Sequence, residues 1–300
     1  MIYYNKKLKE VIKMRSEKWI RDNTASLEGK TVAISGSTGG LGRELCYYLA
    51  TLGASLVLVD RNRERSQDLA DELSALFDGI DISLVTADMS DMQSVIAAAD
   101  ILSDTDIDYL ILNAGAYSIP RHKTRLGYDN VYQINFISPY YLARRLLPGI
   151  KERGGRIVAV GSIAHNYSKI DERDIDFSTR DKASLVYGNA KRYLTYALYA
   201  LDGESISVAH PGISFTGITN HYPPLLFALI KEPMKIIFMK PHKACLSILA
   251  GLFTDCRAGE WIGPWMFDIW GIPRKTRLNT ATPEEADKIA RIAEEIYSKI

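Results

Sequence analysis

From Lys30 onward, short apolar runs alternate with longer amphipathic segments along the chain. The runs are rich in β-branched residues and are apolar on both faces, which is typical of parallel strands that helices cover on both sides. Six such strands are predicted: TVAIS, SLVLVD, DISLVTA, DYLILN, RIVAVG and SISVAH. The segments between them have the length and periodicity of helices. This alternation predicts an α/β fold with a doubly wound parallel sheet and helices on both of its faces.

Residues 1–28 form an extension before the first strand. One face of this extension is apolar at helical spacing, and most other positions are charged. The apolar positions are Tyr4, Leu8, Val11, Ile12 and Trp19. We predict an amphipathic helix, which either docks on its own domain or lies on an anionic membrane surface. The charged residues interrupt any run long enough for a signal peptide, which disfavours secretion.

Residues 273–300 are predicted to form a C-terminal helical segment after a main domain of residues 29–272. Thr282 suits an N-cap, Pro283 suits the first helical position, and Glu285 completes a capping box. An apolar stripe is expected to pack on the core, and its members are Ala286, Ile289, Ala290, Ala293 and Ile296. The preceding stretch GEWIGPWMFDIWG predicts one last strand and an aromatic corner.

Composition and charge narrow the classes of function. The 300 residues include 37 Lys and Arg against 36 Asp and Glu, and the resulting net charge of +1 disfavours a nucleic-acid binder. Cys46, Cys245 and Cys256 lie far apart without metal-ligand spacing. This pattern indicates free thiols in a reducing compartment and no metal site. We therefore expect a cytoplasmic protein of enzyme size.

Three glycines lie between the first predicted strand and the helix that follows it. Gly36, Gly40 and Gly42 have the spacing G-x-x-x-G-x-G. Glycine allows a tight turn and lets backbone N–H groups approach a pyrophosphate, and the helix N-terminus adds its positive dipole end. A plain turn would also use glycine, but the position after the first strand favours a dinucleotide-binding loop.

A tyrosine and a lysine are one helical turn apart in the stretch YGNAKRYLTYAL. The spacing puts the side chains of Tyr187 and Lys191 on one face of a helix, where they can share a site. Spacing alone is weak evidence, because Tyr3 and Lys7 repeat it in the N-terminal extension. The motifs around each pair must therefore show which of the two pairs belongs to an active site.

Further motifs occur in a fixed order along the chain. They are ADMS with Asp88, LNAG with Asn113, YQIN with Asn135, VGSIAH with Ser162 and HPGISFT with Pro211. Together with the glycine loop and the Tyr187–Lys191 pair, they resemble the motifs of the short-chain dehydrogenases/reductases over about residues 30–219. The VGSIAHNYS run and its distance from Tyr187 are most similar to the retinol-dehydrogenase-like branch, whose members act on apolar alcohols and ketones. The resemblance implies a Rossmann-type sheet.

The resemblance also implies an NAD(P)-dependent oxidoreductase that transfers a hydride between nicotinamide and an alcohol or carbonyl. Tyr187 would carry the proton, and the Lys191 ammonium and an oxidised nicotinamide would lower its pKa. Lys191 would also bind the nicotinamide ribose, Ser162 would hold the substrate oxygen, and Asn135 would hold a water in a proton relay. The implied cofactor-binding residues are Gly36, Ser37, Thr38, Gly40, Leu41, Gly42, Asp60, Arg61, Asp88, Met89, Asn113, Ala114, Gly115, Tyr187, Lys191, Pro211, Gly212, Ile213 and Thr216.

The cofactor preference depends on the end of the second strand. Asp60 lies where a carboxylate would accept hydrogen bonds from the ribose hydroxyls and repel a 2′-phosphate. Gly39 stands where NADP-preferring relatives often have a basic residue. Arg61 and Arg63 favour the opposite choice, since guanidinium groups bind phosphate well. We predict a preference for NAD(H), with NADP(H) as the alternative.

The substrate is expected to contact a lid over residues 217–240. Its apolar positions suit a steroid, retinoid or other lipid-like alcohol or ketone, and they are Leu225, Leu226, Phe227, Leu229, Ile230, Ile236, Ile237 and Phe238. An amphipathic lid would also bury an apolar side above a small substrate. The run is too short to cross a bilayer, so that peripheral membrane contact stays open. Trp261, Trp265 and Trp270 border the pocket if they do not form the aromatic corner.

Two other functions remain open from the sequence. One is a sensor or scaffold that binds dinucleotide without turnover, and the other is an isomerase or dehydratase that keeps the fold. Neither His165 nor His210 matches a catalytic position of the family, so both are expected to be structural. The family also suggests a homodimer or homotetramer built on the helices that contain Asn135 and Tyr187.

Overall fold

The computed structural model describes residues 16–213 and 239–300. Within these ranges, one sheet of eight strands has the order β3-β2-β1-β4-β5-β6-β7-β8. The strands are β1 (Thr31–Ser35), β2 (Ser55–Asp60), β3 (Ile82–Thr86), β4 (Tyr109–Leu112), β5 (Arg156–Val160), β6 (Ile206–Ala209), β7 (Glu260–Met266) and β8 (Trp270–Arg277). Neighbours from β3 to β7 pair in parallel, and β8 runs antiparallel to β7. The predicted parallel α/β sheet is confirmed.

Helices connect these strands. They are α1 (Ser16–Asn23), α2 (Gly40–Thr51), α3 (Arg63–Leu76), α4 (Met92–Ser103), α5 (Asn130–Tyr132), α6 (Ser138–Glu152), α7 (Ala183–Leu201), α8 (Pro241–Ala244), α9 (Leu246–Phe253) and α10 (Pro283–Tyr297). A π-helical segment, Gln133–Ile137, joins α5 to α6, and a 3-10 helix, Ile163–Tyr167, follows β5.

Both faces of the sheet are buried, as the strand pattern predicts. In β1, Val32 and Ile34 belong to the core on the face covered by α2, α3 and α9. Ala33 belongs to the core on the other face, which α4, α6, α7 and α10 cover. Burial of this apolar surface is the main favourable contribution to folding.

The chain order reverses between β1 and β4. Val32 in β1 pairs with Leu56 of β2 on one side and with Tyr109 of β4 on the other. At such a switch point the connections leave the sheet towards opposite faces, and a crevice opens beyond the carboxyl ends of the strands. Several of the predicted site residues lie directly after these strand ends, such as Gly36 after β1 and Asn113 after β4.

The C-terminal part differs from the single last strand that the sequence predicted. The stretch GEWIGPWMFDIWG contains β7 and the start of β8, joined by a turn in which Phe267 and Asp268 have φ values of 56° and 57°. β8 continues past residue 272, where the main domain was predicted to end. Trp261 is buried and Trp265 is half exposed, so they do not share one aromatic corner.

The predicted C-terminal helix and its capping box are confirmed in α10. Ile289, Ala293 and Ile296 are buried against the core, and α10 packs on α7. Helix α7 is buried continuously over residues 188–199 within one copy of the chain. The predicted oligomer built on the helices that contain Asn135 and Tyr187 stays a prediction, and the face of α7 that α10 covers is already buried within one chain.

The N-terminal helix is described only from Ser16. Residues 1–15 lie outside the described residues, whereas Trp19 and Ile20 pack on the core and α1 contacts α9. In the described ranges, no helix combines the length and hydrophobicity needed to cross a membrane. The three cysteines, Cys46, Cys245 and Cys256, are buried and free.

Candidate active site

The glycine loop between β1 and α2 packs too closely for larger side chains. A Cβ atom on Gly42 would lie 2.1 Å from the Gly36 carbonyl oxygen, and one on Gly36 would lie 2.9 Å from the Ala114 Cα. Gly36 also has a φ of 69°, which favours glycine. The loop thus leaves its backbone accessible beside the N-terminus of α2, which suits a pyrophosphate.

The end of β4 holds this loop in place. The Asn113 side-chain amide donates hydrogen bonds to the carbonyl oxygens of Ser35 (3.0 Å) and Gly36 (2.8 Å). The Ser35 hydroxyl accepts from the backbone N–H groups of Asn113 and Ala114, both at 3.1 Å. The structure thus joins the glycine loop to the LNAG motif. Sequence reasoning missed Ser35, whose signal was a polar residue at the end of a buried strand.

Asp60 lies at the end of β2 and is almost fully buried. One carboxylate oxygen accepts from the Thr38 N–H (3.3 Å) and hydroxyl (3.0 Å), and the other accepts from the hydroxyls of Ser37 and Ser66. Asp60 therefore braces the glycine loop directly, a contact that the sequence did not predict. Arg61 beside it is exposed.

The end of β3 carries Asp88 and Met89. The Asp88 carboxylate accepts from the N–H (2.8 Å) and hydroxyl (2.7 Å) of Ser90, so it closes the turn before α4. The Met89 carbonyl accepts from the Ser138 hydroxyl at 2.7 Å. These bonds connect the β3 end to the start of α6.

Asn135 lies in the π-helical segment and contacts the end of the LNAG strand. Its amide donates to the carbonyls of Ala116 and Val131, both at 2.8 Å, and its Oδ1 accepts from the Ala116 N–H at 3.2 Å. A Cβ on Gly115 would lie 2.9 Å from Asn135 Oδ1 and 3.7 Å from Lys191 Nζ. The structure thus brings Asn135, Gly115 and Lys191 together.

Tyr187 and Lys191 share one face of α7, as predicted. Lys191 Nζ donates to the Val160 carbonyl at 2.7 Å and lies 5.8 Å from the centre of the Tyr187 ring. The Ser162 side chain lies close enough to the Tyr187 hydroxyl to lower its pKa. Ser162 follows β5 and caps the 3-10 helix through a bond from the Ala164 N–H at 3.2 Å. Three of the four predicted catalytic residues therefore meet around one phenol.

The protein's own groups raise the pKa of Tyr187, whereas the sequence analysis expected the Lys191 ammonium and an oxidised nicotinamide together to lower it. Tyr187 retains some solvent exposure, but the dense protein around its hydroxyl raises its pKa to about 12, and the nearby Ser162 side chain offsets this only in part. Burial also lowers the pKa of Lys191 to about 7. In such surroundings each charged form is costly, so the nearby ammonium does not by itself lower the pKa of the phenol.

The segment after β6 closes one side of the crevice. Gly212 has a φ of 71°, and a Cβ on it would lie 2.4 Å from the Ile269 carbonyl oxygen. Pro211 precedes it, and the Ile213 carbonyl accepts from the Met239 N–H at 2.9 Å. Thr216 and almost all of the predicted lid, residues 217–240, lie outside the described residues.

Both histidines near these strands are buried. His210 stacks on Trp261 with ring centres 4.0 Å apart, and its Nδ1 accepts from the Gly212 N–H at 3.3 Å. His165 lies three residues after Ser162. Burial lowers the pKa of both rings, that of His165 to about 4, so both are neutral at pH 7. A neutral, hydrogen-bonded ring agrees with the structural role expected for each.

Comparison with known proteins agrees with this geometry. Residues 30–171 match the family model of the short chain dehydrogenases. Retinol dehydrogenase 14 of Mus musculus is 30% identical over 269 residues, covering 78% of this chain and 80% of that protein. Retinol dehydrogenase 11 of Homo sapiens is 28% identical over 261 residues, covering 80% and 81%.

Solved structures share the fold. A protein from Mycobacterium paratuberculosis superposes with a TM-score of 0.71 at 22% identity, covering 91% of this chain and 95% of that one. RhlG of Pseudomonas aeruginosa, solved as an NADP active-site complex, has a TM-score of 0.56 at 24% identity, covering 76% and 91%. The chain belongs to the short-chain dehydrogenase/reductase family, in its retinol-dehydrogenase-like branch, and is an NAD(P)-dependent oxidoreductase that acts on CH–OH groups.

Proposed function

We propose that this oxidoreductase interconverts an apolar alcohol and its carbonyl, with Tyr187 as the proton carrier. The observation that carries the proposal is the position of Tyr187, whose ring centre lies 5.8 Å from the ammonium of the buried Lys191 one helical turn away and beside the Ser162 side chain that follows β5. A binding protein without turnover has no use for a phenol paired with a hydroxyl beside the cofactor crevice. This arrangement instead suits proton transfer to or from a substrate oxygen.

Ser162, Tyr187 and Lys191 have different roles in the proposed reaction. The Ser162 hydroxyl holds the substrate oxygen, and Tyr187 takes the proton during oxidation and returns it during reduction. The nicotinamide, when bound, accepts or donates the hydride. A phenol with a pKa of about 12 is mostly protonated at pH 7, so oxidation needs positive charge near Tyr187. Lys191, 5.8 Å from the ring and with a pKa of about 7, would supply part of that charge when protonated, and an oxidised nicotinamide would supply the rest.

Asn135 has a narrower part in the proton relay than the family resemblance implies. Both of its amide hydrogens are donated to backbone carbonyls, and its Oδ1 already accepts one hydrogen bond. An amide oxygen has two lone pairs, which leaves one for a water molecule. We propose that Asn135 mainly fixes the backbone at Ala116 and Val131 and binds the relay water through that remaining lone pair.

The dinucleotide would bind at the glycine loop, where Gly39 and Gly40 are exposed beside the N-terminus of α2, and the missing Cβ atoms at Gly36 and Gly42 let the loop fold closely on itself. Asn113 and Asp60 would keep the loop in shape, and Pro211, Gly212 and Ile213 would border the nicotinamide end. We propose a preference for NAD(H), because a buried carboxylate at Asp60 disfavours a 2′-phosphate. The exposed guanidinium of Arg61 supports NADP(H) as the alternative.

The substrate proposal is a retinoid or another lipid-like alcohol or ketone. It is supported by the names of the relatives and by the apolar sequence of residues 225–238. We also propose a cytoplasmic location, from the free buried thiols, with peripheral membrane contact as the alternative. A homodimer or homotetramer would have to form through surfaces other than the face of α7 that α10 covers.

The test is turnover by Tyr187→Phe. All-trans-retinol, a steroid alcohol and 2-decanol are each offered with NAD⁺ and with NADP⁺, and stoichiometric NADH or NADPH is measured. We expect Tyr187→Phe to lose at least about 100-fold in kcat while it binds NADH within about twofold of the unchanged protein. Tyr3→Phe is the matched control, since Tyr3 and Lys7 have the same spacing outside the crevice. Near-normal turnover by Tyr187→Phe would rule out the assignment.

A further inference from the structure

A continuous series of hydrogen bonds connects the C-terminal segment with Ser162. His165 Nδ1 lies 2.6 Å from the Ser162 carbonyl oxygen, and His165 Nε2 lies 2.8 Å from the Thr280 hydroxyl. The Tyr196 hydroxyl lies 2.6 Å from the same Thr280 oxygen and accepts from the Thr280 N–H at 3.2 Å. The His165 ring and the Thr280 hydroxyl therefore link three distant parts of the chain, namely the end of β5, α7 and the segment before α10.

Donor and acceptor chemistry gives this series one direction. The Ser162 carbonyl can only accept, so His165 Nδ1 must carry a hydrogen. The neutral ring then accepts at Nε2, and the Thr280 hydroxyl must donate to it. Because the Thr280 hydrogen is used there, the Tyr196 hydroxyl donates to the Thr280 oxygen. The direction is Tyr196 to Thr280 to His165 to Ser162, and one tautomer of His165 satisfies it.

The surroundings keep His165 in place. Its side chain is fully buried, and the edge of its ring meets Trp261 with ring centres 5.0 Å apart. Buried Arg192, the neighbour of Lys191, donates to the carbonyl oxygens of Thr280 (2.6 Å) and His165 (3.4 Å). Arg192 also bonds Glu285 of the α10 capping box at 3.0 Å. The ring is therefore held from both ends, and nothing in this geometry requires it to contact substrate.

We propose that His165 is a positioning residue for Ser162, and that Thr280 and Tyr196 fix its orientation and tautomer. The Ser162 carbonyl accepts both the ring Nδ1–H and the His165 backbone N–H, the latter at 3.2 Å. Together these bonds set the backbone from which the Ser162 hydroxyl projects. Small displacements of a positioning group have large effects on rate. The inference rests on the proposed role of Ser162.

The first experiment determines the tautomer without any substrate. Two-dimensional ¹H–¹⁵N spectra of the full-length protein, labelled with ¹⁵N-histidine and recorded at pH 7, distinguish Nδ1–H from Nε2–H rings. The signal of His165 is identified by its loss in His165→Asn. We expect His165 to be neutral and to carry its hydrogen on Nδ1. In Thr280→Val, where no hydroxyl donates to Nε2, we expect this signal to shift or to broaden. An Nε2–H ring or a protonated ring in the unchanged protein would overturn the inference.

The second experiment compares hydroxyl removal at two sites in the same segment. Thr280→Val should lower kcat for all-trans-retinol about tenfold, with KM and NADH affinity changed less than about threefold, and Thr280→Ser should restore most of the rate. Thr276→Val is the matched control, because the Thr276 hydroxyl is buried and has no hydrogen-bond partner among the described residues. His165→Leu should lose more activity than His165→Asn, whose amide can still donate at the Nδ1 position.

The two proposals fail differently. If Tyr187→Phe keeps its turnover, the proposed function fails, whatever the His165 variants do. If Tyr187→Phe is inactive but Thr280→Val and His165→Leu match Thr276→Val in kcat, only the positioning role fails. If His165→Leu does not fold, the comparison of Thr280→Val with Thr280→Ser and the measured tautomer of His165 still test the positioning role.

Discussion

At the scale of single residues, Asp60 combines two roles that a sequence motif cannot separate. Its position at the end of β2 suggests contact with a ribose, and its carboxylate is already bonded to Ser37, Thr38 and Ser66. Asp60→Ala would remove both the negative charge and the hydrogen bonds that hold the glycine loop. Asp60→Asn removes the charge but keeps a group that can donate to one hydroxyl and accept from another.

We therefore expect Asp60→Asn to shift the ratio of NADPH to NADH affinity about tenfold towards NADPH, because the repulsion of a 2′-phosphate is lost. Tryptophan-to-nicotinamide energy transfer at one salt concentration measures both dissociation constants. Ser66→Ala is the control, since it removes one partner of Asp60 without changing its charge. An unchanged ratio in Asp60→Asn, with both affinities reduced in parallel, would assign Asp60 to the brace alone.

Residue predictions from sequence succeeded where spacing along one element fixes geometry. Tyr187 and Lys191 meet because one turn of helix separates them. Asn113 follows β4 directly and reaches the glycine loop because β4 pairs with β1, as the predicted parallel sheet allows. Thr280 could not be found in this way, because its contact with His165 spans 115 residues and needs the path of the whole tail. The pKa of Tyr187 was also beyond reach, since it depends on how densely the hydroxyl is surrounded.

At the scale of elements, the turn between β1 and α2 depends on one close approach. Gly42→Ala would place a methyl group 2.1 Å from the Gly36 carbonyl oxygen, so the helix or the loop must move. We expect a loss of about 1–3 kcal/mol in unfolding free energy and at least about tenfold weaker NADH binding. Thermal unfolding and titration measure the two effects.

Gly39→Ala is the matched control for this turn. Its Cβ would lie 3.4 Å from the Gly36 carbonyl oxygen, an ordinary contact distance, and Gly39 has a φ of −75° that alanine adopts readily. It should change NADH affinity less than about threefold. Equal effects of the two substitutions would show that the approach of Gly42 to Gly36 does not shape the loop.

The β7–β8 hairpin shows where element prediction failed. Three residues, 267–269, connect β7 to β8. Tight turns with two consecutive residues at positive φ are usually marked by Asn-Gly or Asp-Gly. Here Phe267 and Asp268 occupy those positions, and neither a bulky aromatic residue nor this pair signals such a turn. The stretch was therefore predicted as one strand. Strands β1, β2, β4, β5 and β6 were predictable because both of their faces are buried and their apolar runs are continuous. The edge strand β3 was recognisable instead from its short run of β-branched residues.

At the scale of the whole molecule, α10 covers a surface that would otherwise be apolar and exposed. Ile289→Glu would put a carboxylate at a fully buried position, so we expect α10 to undock and the chain to associate through the uncovered face of α7. Light scattering coupled to gel filtration should then give a larger mass than for the unchanged chain. Ala290→Glu, one residue further along α10 and only partly buried, should leave the mass unchanged. Equal masses for all three proteins would show that α10 does not shield an association surface.

The position of β1 between β2 and β4 also determines when the site can exist during synthesis. Gly36 and the Asn113 amide that holds it are 77 residues apart, and β4 must lie beside β1 before they meet. A nascent chain that ends before Asn113 contains the complete glycine motif but lacks the bonds that shape its loop. A loop of this shape therefore requires that the chain has been made past Asn113 and that β4 has paired with β1.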